Sequence, residues 1–141
     1  MKKKVLFIFL FVTITGFFAV VYLYNKPHKS IISESPIYVL PASKLVAEFE
    51  ENEKTANSKY LGKVIEVNGF ISEKDTNQKG IVNISLAGQD LSNILCEFDP
   101  IHQLNTSRLK EGDKVSIKGI CTGILMDVVL VDCVVSEQLQ N

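Results

Sequence analysis

Five short segments in which apolar and polar residues alternate occupy most of the chain after residue 62. Alternation with a period of two is typical of strands that bury one face, and polar turns separate the segments. Gly69 and Gly119 interrupt the first and fourth segments, where a missing side chain indicates a bulge or a sharp coil. The pattern predicts a mainly β domain with strands at residues 63–72, 81–87, 93–99, 114–123 and 127–136.

Helical patterns precede the first strand and follow the third. From Ser43, which can act as an N-cap, apolar residues recur on or near one face, and this predicts an added N-terminal helix. A short helix is predicted at residues 101–109. Three strands, a helix and two strands predict a five-stranded OB-fold barrel. That fold explains the segment after the third strand better than the alternative, an SH3-like barrel.

The N-terminal end of the chain is strongly apolar. Residues 5–24 carry no charge, and 20 helical residues at about 1.5 Å each span the hydrocarbon layer of a bilayer. Three lysines precede this run, and Lys26 and Lys29 follow it, so the charge bias favours an N-terminus inside and the remainder outside. We predict one transmembrane helix in the cytoplasmic membrane, with the domain on the extracytoplasmic side.

A cleaved secretory signal is the alternative for the same run. Signal peptides have shorter apolar regions and end in a small-x-small site, which this sequence lacks, so an uncleaved anchor is favoured. Three prolines after the run indicate a tether, in which residues 37–40 could pack on the domain as an edge segment. The predicted organisation is an anchor at residues 1–24, a tether at 25–41 and an OB-fold domain at 42–141.

Three cysteines fall on three different predicted strands. Cys96, Cys121 and Cys133 lie on the third, fourth and fifth, and an odd number outside the cytoplasm leaves at least one thiol free. We predict a Cys121–Cys133 disulfide across the last hairpin, with Cys96 as a buried small hydrophobe, and three buried free thiols are the alternative. The cysteines are widely spaced and the domain has one histidine, so we predict no metal site, catalytic residue or cofactor.

The predicted ligand face is the outer surface of the second and third strands, where OB domains bind. With the adjoining first strand, it offers Asn68, Phe70, Asn83, Ser85, Leu95 and Glu97 as candidate ligand-binding residues. Residues 42–141 carry ten basic and fifteen acidic side chains, and the chain has no tryptophan. Proteins that bind single-stranded nucleic acids use basic grooves with stacking aromatic side chains, so this composition argues against such a ligand.

Three stretches of the sequence are similar to a known family. They are NEKTANSKYLGKVIEVN at residues 52–68, the strand containing Cys96-Glu97-Phe98, and residues 109–133. Through them residues 43–136 resemble bacterial exported or membrane-anchored proteins of the tRNA-anticodon-binding-domain-like OB-fold family. The resemblance implies the fold, whereas function has to be argued from the site. We predict a non-catalytic binding or interaction module of the cell envelope that contacts an envelope protein, a glycan or a small ligand. The alternative is binding of single-stranded DNA or RNA.

Overall fold

The computed structural model describes residues 31–89 and 92–138. It contains two helices, α1 (Ala42–Glu51) and α2 (Glu53–Tyr60), and two 3-10 turns at Ile31–Ser33 and Gln103–Thr106. The six strands are β1 (Tyr38–Pro41), β2 (Val64–Thr76), β3 (Val82–Gln89), β4 (Ser92–Phe98), β5 (Lys114–Ile124) and β6 (Val128–Gln138). The predicted membrane segment, residues 5–24, lies outside the described residues. Within the described ranges, no helix is long and apolar enough to cross a membrane.

Five of the strands close into a barrel, which confirms the predicted architecture. The order β2-β3-β4-β6-β5 is completed by a pairing between β5 and β2. The long strand β2 pairs with two strands, its first half with β5 and its second half with β3. A register shift between Ile71 and Glu73 marks a bulge in the second half, and bulges increase the local twist of a strand.

The interior of the barrel is apolar, as the alternating pattern predicted. The inward residues without accessible surface include Ile65, Val67, Ile84, Leu86, Ile94, Cys96, Val115, Ile117, Val128 and Leu130. Helix α1 adds Leu45, Val46 and Phe49 to the same core and packs mainly against β3. Burial of these side chains is the main favourable contribution to folding.

The helical segment differs in detail from the prediction. Pro41, not Ser43, is the N-cap residue of α1, and the extended backbone of Asn52 separates α1 from α2. The Asn52 side chain accepts the N–H of Thr55 and so caps the second helix. The two helices are also joined through Glu48, whose carboxylate accepts from Lys59 at 2.7 Å. This hydrogen bond holds the pKa of Glu48 below its usual value.

The helix predicted at residues 101–109 is reduced to the 3-10 turn Gln103–Thr106. Lys74 contacts the end of this segment, because its side chain turns inward beside Ile84 at a bulged part of β2. Its Nζ donates to the carbonyls of Thr106 at 2.7 Å and Leu109 at 3.1 Å. The Thr106 carbonyl also accepts the N–H of Leu109 at 3.0 Å, a 3-10-type bond, so the ammonium group adds a second partner at the end of the turn.

Part of the segment predicted as a tether packs on the barrel. Strand β1 pairs in parallel with β2, from Tyr38 opposite Ile65 to Pro41 opposite Asn68. The sequence had allowed such an edge segment at residues 37–40. The pairing places Ala42 against Gly69, where an added Cβ would lie 3.0 Å from the Ala42 Cβ. Gly69 therefore permits the close approach of the segment to the barrel.

The start of the described chain is held on the outer wall of the barrel. Ile31 is 4% exposed and packs on Val64 and Val134 in a small apolar cluster separate from the main core. Lys118 on β5 donates to the backbone carbonyls of Ile32 at 3.1 Å and Glu34 at 2.8 Å. The chain therefore enters the domain at the wall formed by β2, β5 and β6.

Candidate functional site

Four of the six predicted ligand-face residues lie side by side in the structure. In the β3–β4 register Asn83 is opposite Glu97, and Ser85 is opposite Leu95. They alternate with buried residues of the same strands, so all four point away from the core. The outer face of β3 and β4 is therefore formed by the side chains that the sequence indicated.

The other two predicted residues are placed elsewhere. Asn68 and Phe70 lie on the first half of β2, where their partners are Ser116 and Lys114 of β5. The second half of β2, which pairs with β3, contributes Glu73 opposite Ser85 instead. The long strand changes its partner between these halves. The alternation along β2 could not show where this change occurs.

The resulting face is acidic, and we call it the β3–β4 face. It comprises two rows of side chains, Asp75–Asn83–Glu97 and Glu73–Ser85–Leu95. The lysine within this part of β2, Lys74, is directed inward to backbone carbonyls. Three carboxylates therefore face solvent where an OB domain that binds nucleic acid presents basic groups. Repulsion between these carboxylates and phosphates opposes such binding.

Aromatic stacking is limited to one residue. Phe70 is 50% exposed, and among the residues that the structure describes it is the aromatic side chain with the largest free surface. The Nζ of Lys114 lies 5.9 Å from the centroid of its ring. A single half-covered ring offers a place for one base or sugar, whereas single-strand binders use several stacked aromatics.

The three cysteines are free and buried. The predicted Cys121–Cys133 pairing is not the one that the fold brings together, because Cys121 is opposite Leu130 in the β5–β6 register. Cys133 instead lies near Cys96 in the core, and this neighbouring thiol adds to burial in raising the pKa of Cys133. The reason is a bulge at Asp132, whose φ of 53° shifts β6 by one residue and turns Cys133 inward.

Burial determines the expected reactivity of these thiols. It raises the pKa of Cys121 and raises the pKa of Cys133 well above the usual value, which lowers the reactive thiolate fraction at any given pH. We expect a maleimide at neutral pH to leave the native full chain unlabelled and to label three cysteines once the chain is unfolded without reductant. Mass spectrometry measures the number of labels. A single label after unfolding would show a disulfide instead.

A cavity of about 330 Å³ opens on the wall of β2, β5 and β6, beside the two 3-10 turns. We call it the wall cavity. Its lining combines polar and apolar side chains, which are Glu66, Lys118, His102, Asn105, Ser136, Ile32, Val134 and Val135. Ligand sites are typically concave, with an apolar surface and a few convergent polar groups. The wall cavity meets this description, although at the lower end of the usual volume range.

The polar groups of the wall cavity keep some hydrogen-bonding capacity. Glu66 is opposite Lys118 in the β2–β5 register, and its Oε1 accepts from Ser116 at 2.6 Å. Lys118 uses two of its three N–H donors on the backbone carbonyls of residues 32 and 34. One ammonium donor and one carboxylate oxygen remain for a ligand. Such a pair suits sugar hydroxyls or peptide groups.

His102 contributes an imidazole to the wall cavity. Its Nδ1 lies 3.2 Å from Oδ2 of Asp99 but does not meet the geometry of a hydrogen bond. The Oδ1 of Asp99 accepts the backbone N–H of Ile101 at 2.7 Å, which is a common turn-forming contact of aspartate. Asp99 therefore orders the loop after β4 through its contacts with the backbone N–H groups of Ile101 and His102. Within residues 31–89 and 92–138, no group of three or more His, Cys, Asp or Glu could hold a metal ion.

No pattern in the sequence indicated the wall cavity. Alternation along β2 and β5 does predict that Glu66 and Lys118 point outward. Their juxtaposition depends on the β2–β5 register and on the docking of the Ile32 segment. His102 was predicted on a helix, and the short 3-10 turn places it at the cavity instead.

The chain is similar to known proteins in sequence and in fold. One family model, described as tRNA_anti-like, matches residues 1–135. No curated protein sequence matches the chain significantly. Among solved structures, one of a lipoprotein from Klebsiella pneumoniae, described as a candidate nucleic acid-binding protein, is 18% identical with a TM-score of 0.59. The match covers 70% of this chain and 91% of that chain. At this identity the likeness shows a shared fold.

Proposed function

This chain belongs to the tRNA_anti-like family, and we propose that it is a non-catalytic, membrane-anchored binding module of the cell envelope. The anchor is the apolar run at residues 5–24, and the binding domain is the barrel on the extracytoplasmic side. The ligand is a segment of an envelope protein or a glycan. The wall cavity is the observation that carries this proposal.

The chemistry of the wall cavity supports recognition of such a ligand. Lys118 supplies a donor and Glu66 an acceptor, and Val134 and Val135 supply an apolar surface beside them. Sugar rings and peptide segments present the same mixture of hydroxyl or amide groups and apolar carbons. A volume of about 330 Å³ accommodates one part of a larger ligand. The open side of the cavity allows the remainder to continue along the barrel wall.

The charge of the β3–β4 face argues against the alternative, binding of single-stranded nucleic acid. Glu73, Asp75 and Glu97 point outward on the surface that OB domains use for nucleic acids. Phosphate binding draws its affinity from lysine and arginine contacts, whereas carboxylates reduce it. The Klebsiella lipoprotein shares the fold, but its description as a nucleic acid-binding protein concerns that protein alone.

One titration separates the two functions. We expect the full chain in lipid nanodiscs to show no saturable binding of single-stranded DNA or RNA at about 50 mM or about 200 mM salt. Fluorescence anisotropy of labelled oligonucleotides measures this. Micromolar binding that weakens steeply with salt would overturn the proposal and favour the alternative.

A second experiment, photo-crosslinking in cells, tests the wall cavity. A photo-crosslinking side chain replaces Asn105, which lines the cavity, or Lys79, an exposed residue of the β2–β3 turn. In intact cells we expect a specific adduct from position 105 alone. Its yield should fall with Glu66→Gln, which removes the acceptor charge and keeps the shape of the side chain. Equal adducts from both positions would contradict a role for the cavity.

A further inference from the structure

Three exposed apolar side chains belong to the two segments that border the wall cavity. Ile32 lines it and is 54% exposed. Ile101 and Leu104 precede the lining residues His102 and Asn105 in the chain and are 78% and 80% exposed. We call these three residues the apolar rim. Several large apolar side chains exposed together indicate a surface that contacts a protein or a membrane.

The point at which the chain enters the domain lies beside the apolar rim. Ile31 is fixed on Val64 and Val134, and Ile32 follows it directly. Only residues 25–30 separate Ile31 from the end of the predicted membrane segment at Tyr24. Even fully extended, this stretch reaches about 25 Å at about 3.6 Å per residue. The linker therefore keeps the entry wall of the barrel close to the bilayer surface.

The opposite end of β6 offers a second exposed apolar pair, so the two ends must be compared. Leu125 and Met126 form the tip of the β5–β6 hairpin and are 90% and 89% exposed. The distance along β6 from Val134 to Val128 is about 20 Å at about 3.4 Å per residue, and the tip lies beyond Val128. If this tip faced the bilayer, the linker would have to extend almost fully, because the length along the barrel nearly equals its maximum length. The length of the linker therefore favours the apolar rim over the hairpin tip.

We propose that the apolar rim, Ile32, Ile101 and Leu104, rests in the interfacial layer of the membrane, with the wall cavity opening at the bilayer surface. This inference rests on the proposed membrane anchoring and adds the orientation of the domain. The contact is made by apolar side chains at the level of the lipid headgroups, as with other interfacial anchors.

Charges around the apolar rim are mixed. Arg108 and Lys110 are exposed after the second 3-10 turn, and Glu111 is exposed beside them. Glu66 and Lys118 face each other within the wall cavity. The cations exceed the acids by one, so apolar contact carries the attraction on zwitterionic lipid. Added anionic lipid should strengthen the contact modestly.

Tryptophan fluorescence tests this orientation, since the natural chain contains no tryptophan. The variants are Leu104→Trp at the apolar rim, Leu125→Trp at the hairpin tip as a matched exposed control, and Phe18→Trp inside the predicted membrane segment. Each full chain is reconstituted into phosphatidylcholine vesicles with or without bromine on the acyl chains. Bromine quenches tryptophan on contact, and circular dichroism checks the fold of each variant.

We expect bromine to remove about half or more of the emission of Leu104→Trp and Phe18→Trp and to leave Leu125→Trp unchanged. Quenching at position 18 but not at 104 would overturn the orientation while retaining the anchor. In that case blue-shifted emission at 104 would indicate that a second copy covers the apolar rim, and red-shifted emission would indicate water. Absence of quenching at position 18 would overturn the anchor, and the orientation with it. Equal quenching at 104 and 125 would also contradict the proposed orientation.

Discussion

Replacing Ile117 by Asp is expected to prevent the barrel from folding. Ile117 has no accessible surface and lies between Val67 of β2 and Val135 of β6 in the sheet. An aspartate at this position buries a carboxyl group among apolar side chains without a partner. The expected loss is about 4 to 5 kcal/mol or more, a large fraction of the stability of a small domain. Circular dichroism of the full chain in mild detergent would show loss of the cooperative β-sheet transition.

Two control variants distinguish a buried charge from other effects on β5. Thr122→Asp places the same charge on the same strand at an exposed position, where it removes only the hydrogen bond to the Val129 carbonyl. We expect it to cost about 1 kcal/mol or less. Ile117→Val removes one methylene and should cost about 0.5 to 1.5 kcal/mol. If Ile117→Asp melted like Thr122→Asp, the assignment of Ile117 to the core would be wrong.

Gly119→Ala is expected to be the most damaging single-methyl addition in the middle of a barrel strand. A Cβ at this position would lie 2.6 Å from Sγ of Cys133 and 3.2 Å from both the Leu130 Cβ and the Val131 carbonyl oxygen. Cys133 has no accessible surface, so its sulfur has no space into which to move. We expect a loss of about 2 to 3 kcal/mol, which lowers the melting temperature by about 10 °C or more.

A double-mutant cycle with Cys133→Ala identifies the cause of this loss. Removing the sulfur should relieve most of the clash, so the double variant should be more stable than the sum of single losses predicts, by about 1 kcal/mol or more. Gly80→Ala is a contrasting variant, because its φ of 77° is strained while no atom lies within 4 Å of an added Cβ. Additive losses in the cycle would show that the contacts with Leu130 and Val131, and not the Cys133 contact, require glycine at position 119.

The positions of the strands followed from the sequence because alternation is a local property of an extended chain. Each of the five predicted segments overlaps a barrel strand, and the inward residues, such as Val67 and Ile84, are buried. The glycine predicted to interrupt the fourth segment lies at a register shift between Lys118 and Ile120. The extra residue of this bulge is on β6, and Gly119 lies opposite it, where an added Cβ would approach the Cys133 sulfur. A glycine in mid-strand is visible in the sequence.

The cysteine pairing could not be predicted in the same way. Strict alternation along β6 continues the inward series from Val128 and Leu130 to residue 132. In the structure Cys133 points inward instead, because Asp132 adopts a left-handed backbone conformation. The presence of an aspartate does not predict that conformation. One extra residue in the ladder exchanges the two faces of the strand from that point onward.

The sequence alone therefore determined the class of fold, the location of its strands, the composition of its core and its acidic charge. These properties depend on periodicity and residue type, which are set residue by residue. The tertiary structure decided the neighbour of Cys133, the inward turn of Lys74, the docking of Ile31 and the wall cavity between Glu66, Lys118 and His102. Each of these depends on which strands pair and in which register. That register is selected by the free energy of folding of the whole barrel, including its bulges.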